Sequence, residues 1–110
     1  MLKHRAYSKF SQEAVMLLGE QIKLGRKQRH WSEKNLAERA GISRTTLQKI
    51  ENGDMGCSIG LAFELANLVG ISLFDSDKFP ISARIEQTRD KLVLLPQRIQ
   101  EEKREVYDDF

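Results

Sequence analysis

The sequence predicts an all-α fold, and three observations predict it. Apolar residues recur at three-to-four spacing through most of the chain; Ser11, Ser32, Ser43 and Ser58 stand where such segments begin, and Gly41, Gly53 and Gly70 stand where they end. A serine hydroxyl caps the free N–H groups of a helix start, and a glycine takes the left-handed backbone that closes a helix. The third observation is that the only prolines, Pro80 and Pro96, come late and leave the earlier segments unbroken.

Taken in order, Ser11 is positioned to cap a first helix running to about Arg29, with Val15, Leu18 and Ile22 as its buried stripe. His30 ends it. Ser32 caps a second helix, "EKNLAERA", which stops at Gly41, and Ser43 caps a third, which stops at Gly53. Ser58 caps a fourth, "IGLAFELANLV", with Leu61, Leu65 and Leu68 inward and Gly70 as its stop; Ile71, Leu73 and Phe74 then return onto the core. Beyond the turn-like "DSDKFP", Ile81, Ile85, Leu92, Ile99 and Val106 recur, the last four at heptad intervals. That pattern suits one or two amphipathic helices restarted at Pro96, although "KLVLL" also fits a short strand over residues 92–95, and periodicity does not decide between them. The organisation expected is a basic arm at 1–10, a main domain at 11–75 and an extension at 76–110.

Composition bounds the function. A chain of 110 residues, 40% hydrophobic and 31% charged, holds one modest core with a short appendage. No apolar run approaches the roughly 18 residues of a membrane span, and the N-terminus lacks the apolar stretch of a secretory signal, so a cytoplasmic protein with no membrane partner is expected. Cys57 has neither a disulfide partner nor zinc-ligand spacing around it and reads as a small residue near a helix start. There is no phosphate-binding glycine loop, and neither histidine has a nucleophile at recognisable distance, so no enzyme, metal or cofactor is expected. The net charge of +2 divides unevenly: residues 1–58 carry 11 Lys+Arg against 6 Asp+Glu, and residues 59–110 carry 7 against 10. The basic first half favours a polyanionic partner there.

Residues 33–52, "EKNLAERAGISRTTLQKIEN", meet the demands of a helix-turn-helix position by position. Ala37 supplies the small residue where two short helices cross, Gly41 the turn, and Leu36, Ala40, Ile42, Leu47 and Ile50 the inward side chains. At about 100° per residue from Arg44, Gln48 falls near 40°, Asn52 near 80°, Thr45 near 100° and Lys49 near 140°, one continuous polar arc. Leu47 and Ile50 fall on the other side. The arc holds no carboxylate, and its chemistry suits a DNA major groove: Arg44 and Lys49 donate to guanine, Gln48 pairs with adenine, and Thr45 offers a methyl or a hydroxyl.

From about Leu18 to Phe74, "IKLGRKQRHWSEKNLAERAGISRTTLQKIENG" followed by a fourth helix and "LVGISLF" resembles the Cro/C1 or XRE-type DNA-binding domains of bacteria and phages. The resemblance implies a five-helix lambda-repressor-like fold with a C-terminal helical extension. It also implies that Arg44, Thr45 and Lys49 contact base edges, while Gln48, Asn52, Ser32 and Lys34 lie at the DNA backbone or groove rim. An Arg in the first helix of this family pairs with the Glu that ends the recognition helix; Arg26 and Glu51 stand at those places. Two positions depart from the pattern. Where many members carry a phosphate-binding Gln, this chain has Glu33, which repels phosphate, and where they carry Gly before the second helix it has His30, read as a strained turn residue.

The tail "LVLLPQRIQ" resembles the C-terminal segment of HipB-like antitoxins, which implies a HipA-type toxin kinase as partner; a helical extension used only for dimerisation fits equally. The function these readings lead to is a homodimeric repressor on a palindromic double-stranded operator, as an autoregulating antitoxin or as a phage-type repressor without a toxin. Neutralisation of a kinase as the main output is the alternative.

Overall fold

The computed structural model describes residues 5–74 and 80–99. Five helices follow in order: α1 (Lys9–Gln28), α2 (Glu33–Ala40), α3 (Arg44–Glu51), α4 (Ile59–Leu68) and α5 (Ile81–Val93), with no strand among the described residues. The chain divides between Leu73 and Phe74, so α1 to α4 form one unit and α5 belongs to a second.

Four helix starts follow one rule. Ser32, Ser43 and Ser58 each accept the backbone N–H of the residue three positions on, as the sequence predicts. For α1 the cap is Ser8 and not the expected Ser11: Ser8 Oγ accepts the Ser11 N–H at 3.1 Å and donates to Ser11 Oγ at 3.0 Å. Ser11 thus lies inside the first turn, and Lys9 and Phe10 are helical.

The four ends also share a geometry. After α1, His30 N–H reaches Lys27 O at 2.9 Å and Trp31 N–H reaches Arg26 O at 3.1 Å; the same two-bond closure recurs at Gly41 and Ile42, at Gly53 and Asp54, and at Gly70 and Ile71. Each closure places one residue in left-handed backbone, with φ of +71°, +81° and +83° at the glycines. His30 does the same work at φ +60° with a side chain attached, which makes it a strained turn residue.

The core of the first unit is Ile22, Leu36, Ala37, Leu47, Ile50, Ala62, Leu65, Ala66 and Val69, with Leu18, Trp31, Ala40, Ile42, Cys57, Leu61, Leu68, Ile71 and Leu73 packed around it. The predicted inward stripe of α1 is present, with Ile22 fully buried and Val15 and Leu18 half-buried. Two glycines let α1 approach its neighbours at backbone distance. A Cβ on Gly19 would lie 2.5 Å from Ile50 O and 2.6 Å from Glu51 O, and one on Gly25 would lie 2.9 Å from the Val69 side chain. Gly19 therefore sets α1 directly against the last turn of α3. Arg29 adds a tie to the end of α4, where Nη1 donates to Val69 O at 2.7 Å and meets the free carbonyls of that helix terminus. Cys57 is half-buried, and burial pushes its thiol pKa up, with Asp54 adding to the effect, which suits packing over nucleophilic chemistry.

In the second unit, α5 continues through Val93 and is followed by a turn at Leu94, which settles "KLVLL" as a helix end rather than a strand. Pro80 precedes the helix, and α5 has no buried residue. Ile81, Ile85 and Leu92 line one face of it and are exposed. Val106, the last member of the heptad series, lies outside the described residues.

Candidate nucleic-acid interface

The candidate surface is built on the eight-residue α3, which is held by inward residues three and four positions apart. Leu47 is fully buried, Ile50 is 2% exposed and Glu51 4% exposed, so one edge of α3 is locked into the core. Arg44, Thr45, Lys49 and Asn52 are exposed and Gln48 is half-buried. The arc expected from helical rotation is therefore exposed along its length, except at the half-buried Gln48.

Glu51 carries a second anchor. Arg26 Nε donates to Glu51 Oε2 at 2.8 Å and Nη2 to Oε1 at 3.1 Å, a bidentate pair with both side chains buried. Arg26 Nη1 donates to Trp31 O at 3.1 Å, so each edge of the guanidinium is used. The Glu51 hydrogen bond raises the Arg26 pKa above its ordinary value and outweighs the loss from burial. Trp31 in turn lies against two cations, with Arg39 Cζ 4.0 Å and Arg29 Cζ 5.6 Å from its ring centroid. The start of α2 and the end of α3 are thereby tied to the same point on α1.

The first turn of α2 lies beside the first half of α3, and Glu33 makes the connection. Its Oε1 accepts a hydrogen bond from Gln48 Nε2 at 2.9 Å and another from Arg44 Nη2 at 3.1 Å. These two bonds, Gln48 first, hold the Glu33 carboxyl pKa below the usual glutamate range. Although α3 itself lacks an outward carboxylate, α2 places one against its arc. From the sequence Glu33 is a phosphate-repelling substitution; its contact with α3 depends on the crossing of two helices. A signal was present: an acidic residue at the first position of helix two, opposite a recognition helix that opens with arginine. Ser32 and Lys34 flank Glu33 and are exposed, Ser32 with its hydroxyl accepting the Asn35 N–H at 3.0 Å.

No group of three or more His, Cys, Asp or Glu among the described residues is placed to hold a metal, and no helix among them is long and apolar enough to cross a membrane.

Residues 22–75 match the family model described as helix-turn-helix, in agreement with the helices α2 and α3 and the turn between them, and the described residues are all-α. Neither the curated proteins nor the solved structures contain a match to the chain.

Proposed function

We propose that this protein is a cytoplasmic, sequence-specific DNA-binding repressor that acts as a homodimer on a palindromic operator. The observation that carries the reading is α3 itself, anchored by Leu47, Ile50 and Glu51 while Arg44, Thr45 and Lys49 face outward from an electropositive half of the chain. In this reading Arg44, Thr45 and Lys49 contact base edges. Gln48 and Asn52 sit at the groove rim, and Ser32 and Lys34 meet the backbone at the start of α2. Arg26 and Glu51 support the helix from behind.

A single eight-residue helix reads few base pairs, so two copies on half-sites about 34 Å apart supply the remaining specificity. The second unit supports that arrangement. A 13-residue helix with no buried residue and with Ile81, Ile85 and Leu92 exposed lacks the tertiary packing that stabilises most short helices, and a second copy supplies it. The antitoxin reading rests on the apolar run Val93, Leu94 and Leu95 with Ile99, all exposed beyond the α5 stripe, as a surface for a HipA-like kinase.

Selection of binding sites from randomised duplexes, followed by titration of the selected site with Arg44→Ala, tests the main reading. The variant is expected to lose about 1 to 3 kcal/mol of binding and to relax preference at one position. Unchanged affinity and preference would remove α3 as the reading element.

A further inference from the structure

We propose that Glu33 is the orienting residue of the reading face: its carboxylate holds Gln48 and Arg44 together and determines which edge of each is offered to the bases. The inference rests on α3 reading DNA and adds to that reading that Gln48, at the groove rim, reaches a base edge from there; it reverses the sense of the Glu33 substitution that the sequence presents as a weakness.

The argument begins with hydrogen-bonding capacity. An ionised carboxylate only accepts, and a guanidinium only donates, whereas a glutamine carboxamide presents an acceptor and a donor of nearly equal shape and turns either way according to its neighbours. With Glu33 Oε1 2.9 Å from Gln48 Nε2, the choice is made. The Gln48 Oε1 cannot face the carboxylate and is turned away from it, while the second N–H of Nε2 stays unused by that bond. An acceptor beside a donor is the pattern that matches adenine N6 and N7, and guanine, with acceptors at both O6 and N7, would set its O6 against the Gln48 oxygen.

The same oxygen also accepts from Arg44 Nη2 at 3.1 Å, which positions the guanidinium at the start of α3 and leaves its remaining N–H groups to donate. Arg44 stays accessible in this arrangement, with its side chain 60% exposed. The pair therefore restrains Arg44 without hiding it. Glu33 stands at the first position of α2, where the positive end of the helix dipole favours an ionised carboxylate. Its depressed pKa agrees with a group that stays charged.

A carboxylate here forfeits a phosphate contact and adds repulsion towards the DNA backbone. In exchange, two reading side chains on α3 are ordered before DNA arrives. Glu33 thus trades general affinity for discrimination, and the substitution Glu33→Gln separates the two, since a neutral carboxamide removes the repulsion and lets Gln48 turn either way.

The test compares wild type and Glu33→Gln in two measurements. In the free protein, the Gln48 side-chain amide resonances are followed by 15N NMR against pH. They are expected to titrate in wild type with a carboxyl pKa below the glutamate range and to lose that titration in the variant, with circular dichroism unchanged. In site selection from randomised duplexes, the variant is expected to bind non-cognate DNA more tightly and to lose about tenfold of its discrimination at two base positions. A flat Gln48 titration in wild type overturns the proposal through its geometry. A wild-type base preference that Glu33→Gln leaves unchanged at every position overturns it alone, leaving the DNA-binding reading standing. An intact titration in a wild-type protein that selects no sequence at all overturns both.

Discussion

Arg26 on α1 and Glu51 at the last position of α3 meet fork to fork, with two N–H···O bonds of 2.8 and 3.1 Å in the interior of the first unit. A buried pair of this kind gains little over a well-packed apolar replacement, but removing one partner strands the other charge. Arg26→Ala or Glu51→Ala is expected to destabilise the protein by about 3 to 5 kcal/mol in urea unfolding. Arg26→Met with Glu51→Leu is expected to cost clearly less than either single change. Single-variant losses under 1 kcal/mol would show that the pair is solvated.

His30 occupies left-handed backbone in the closure of α1, the place that Gly41, Gly53 and Gly70 fill after the other helices of the unit. His30→Gly is expected to raise stability by about 0.5 to 1 kcal/mol, the relief of the Cβ clash less the added freedom of the unfolded chain. Thermal unfolding reads the change. A lower midpoint would mean that the imidazole makes a stabilising contact larger than the backbone strain.

Gly19 and Gly60 both lie within helices, yet their surroundings differ. A Cβ on Gly19 would meet backbone oxygens of α3 at 2.5 and 2.6 Å, whereas one on Gly60 would meet only Ser58 Oγ at 3.8 Å. Gly19→Ala is expected to cost about 1 to 3 kcal/mol, because α1 and α3 must separate. Gly60→Ala is expected to gain about 0.5 to 1 kcal/mol through helix propensity. Denaturation of the two variants side by side checks the sign of each, and like signs would contradict the close approach.

The exposed stripe of α5 leads to a test of assembly. If Ile85 and Leu92 pair two copies, the double change Ile85→Asp with Leu92→Asp is expected to convert a dimer to a monomer in analytical ultracentrifugation, while the first unit keeps its helical signal. Operator affinity should then fall, since each half-site is bound alone and the gain from linked binding is lost. A dimer that survives the double change would place the interface elsewhere.

The helix-turn-helix was legible in the sequence because its determinants are local. Ser32 and Ser43 cap, Gly41 turns, and Leu36, Ala37, Leu47 and Ile50 fall inward by rotation alone, and the structure buries all four. The start of α1 was less legible, because Ser8 and Ser11 are both competent caps three residues apart and only the hydrogen bond between them shows which lies outside the helix. "KLVLL" was ambiguous for a similar reason, a short apolar run being compatible with either period. The contacts of Glu33, signalled only by an acid at the start of α2 opposite the arginine that opens α3, and the close approach at Gly19 were hard to read for a different one. Both are made between different helices, and they follow from crossing geometry that no spacing rule contains.

The division of labour along α3 bears on how such a protein acquires a new target. Its inward residues, Leu47, Ile50 and Glu51, alternate with the outward ones, so Thr45 and Lys49 are open to replacement without any cost in core packing. Arg44 and Gln48 lack that freedom, since each shares a carboxylate oxygen with the neighbouring helix. Drift in target preference would thus proceed by single steps at two positions and by paired steps at the other two. A graft of a foreign recognition helix onto this scaffold would need residue 33 to travel with it.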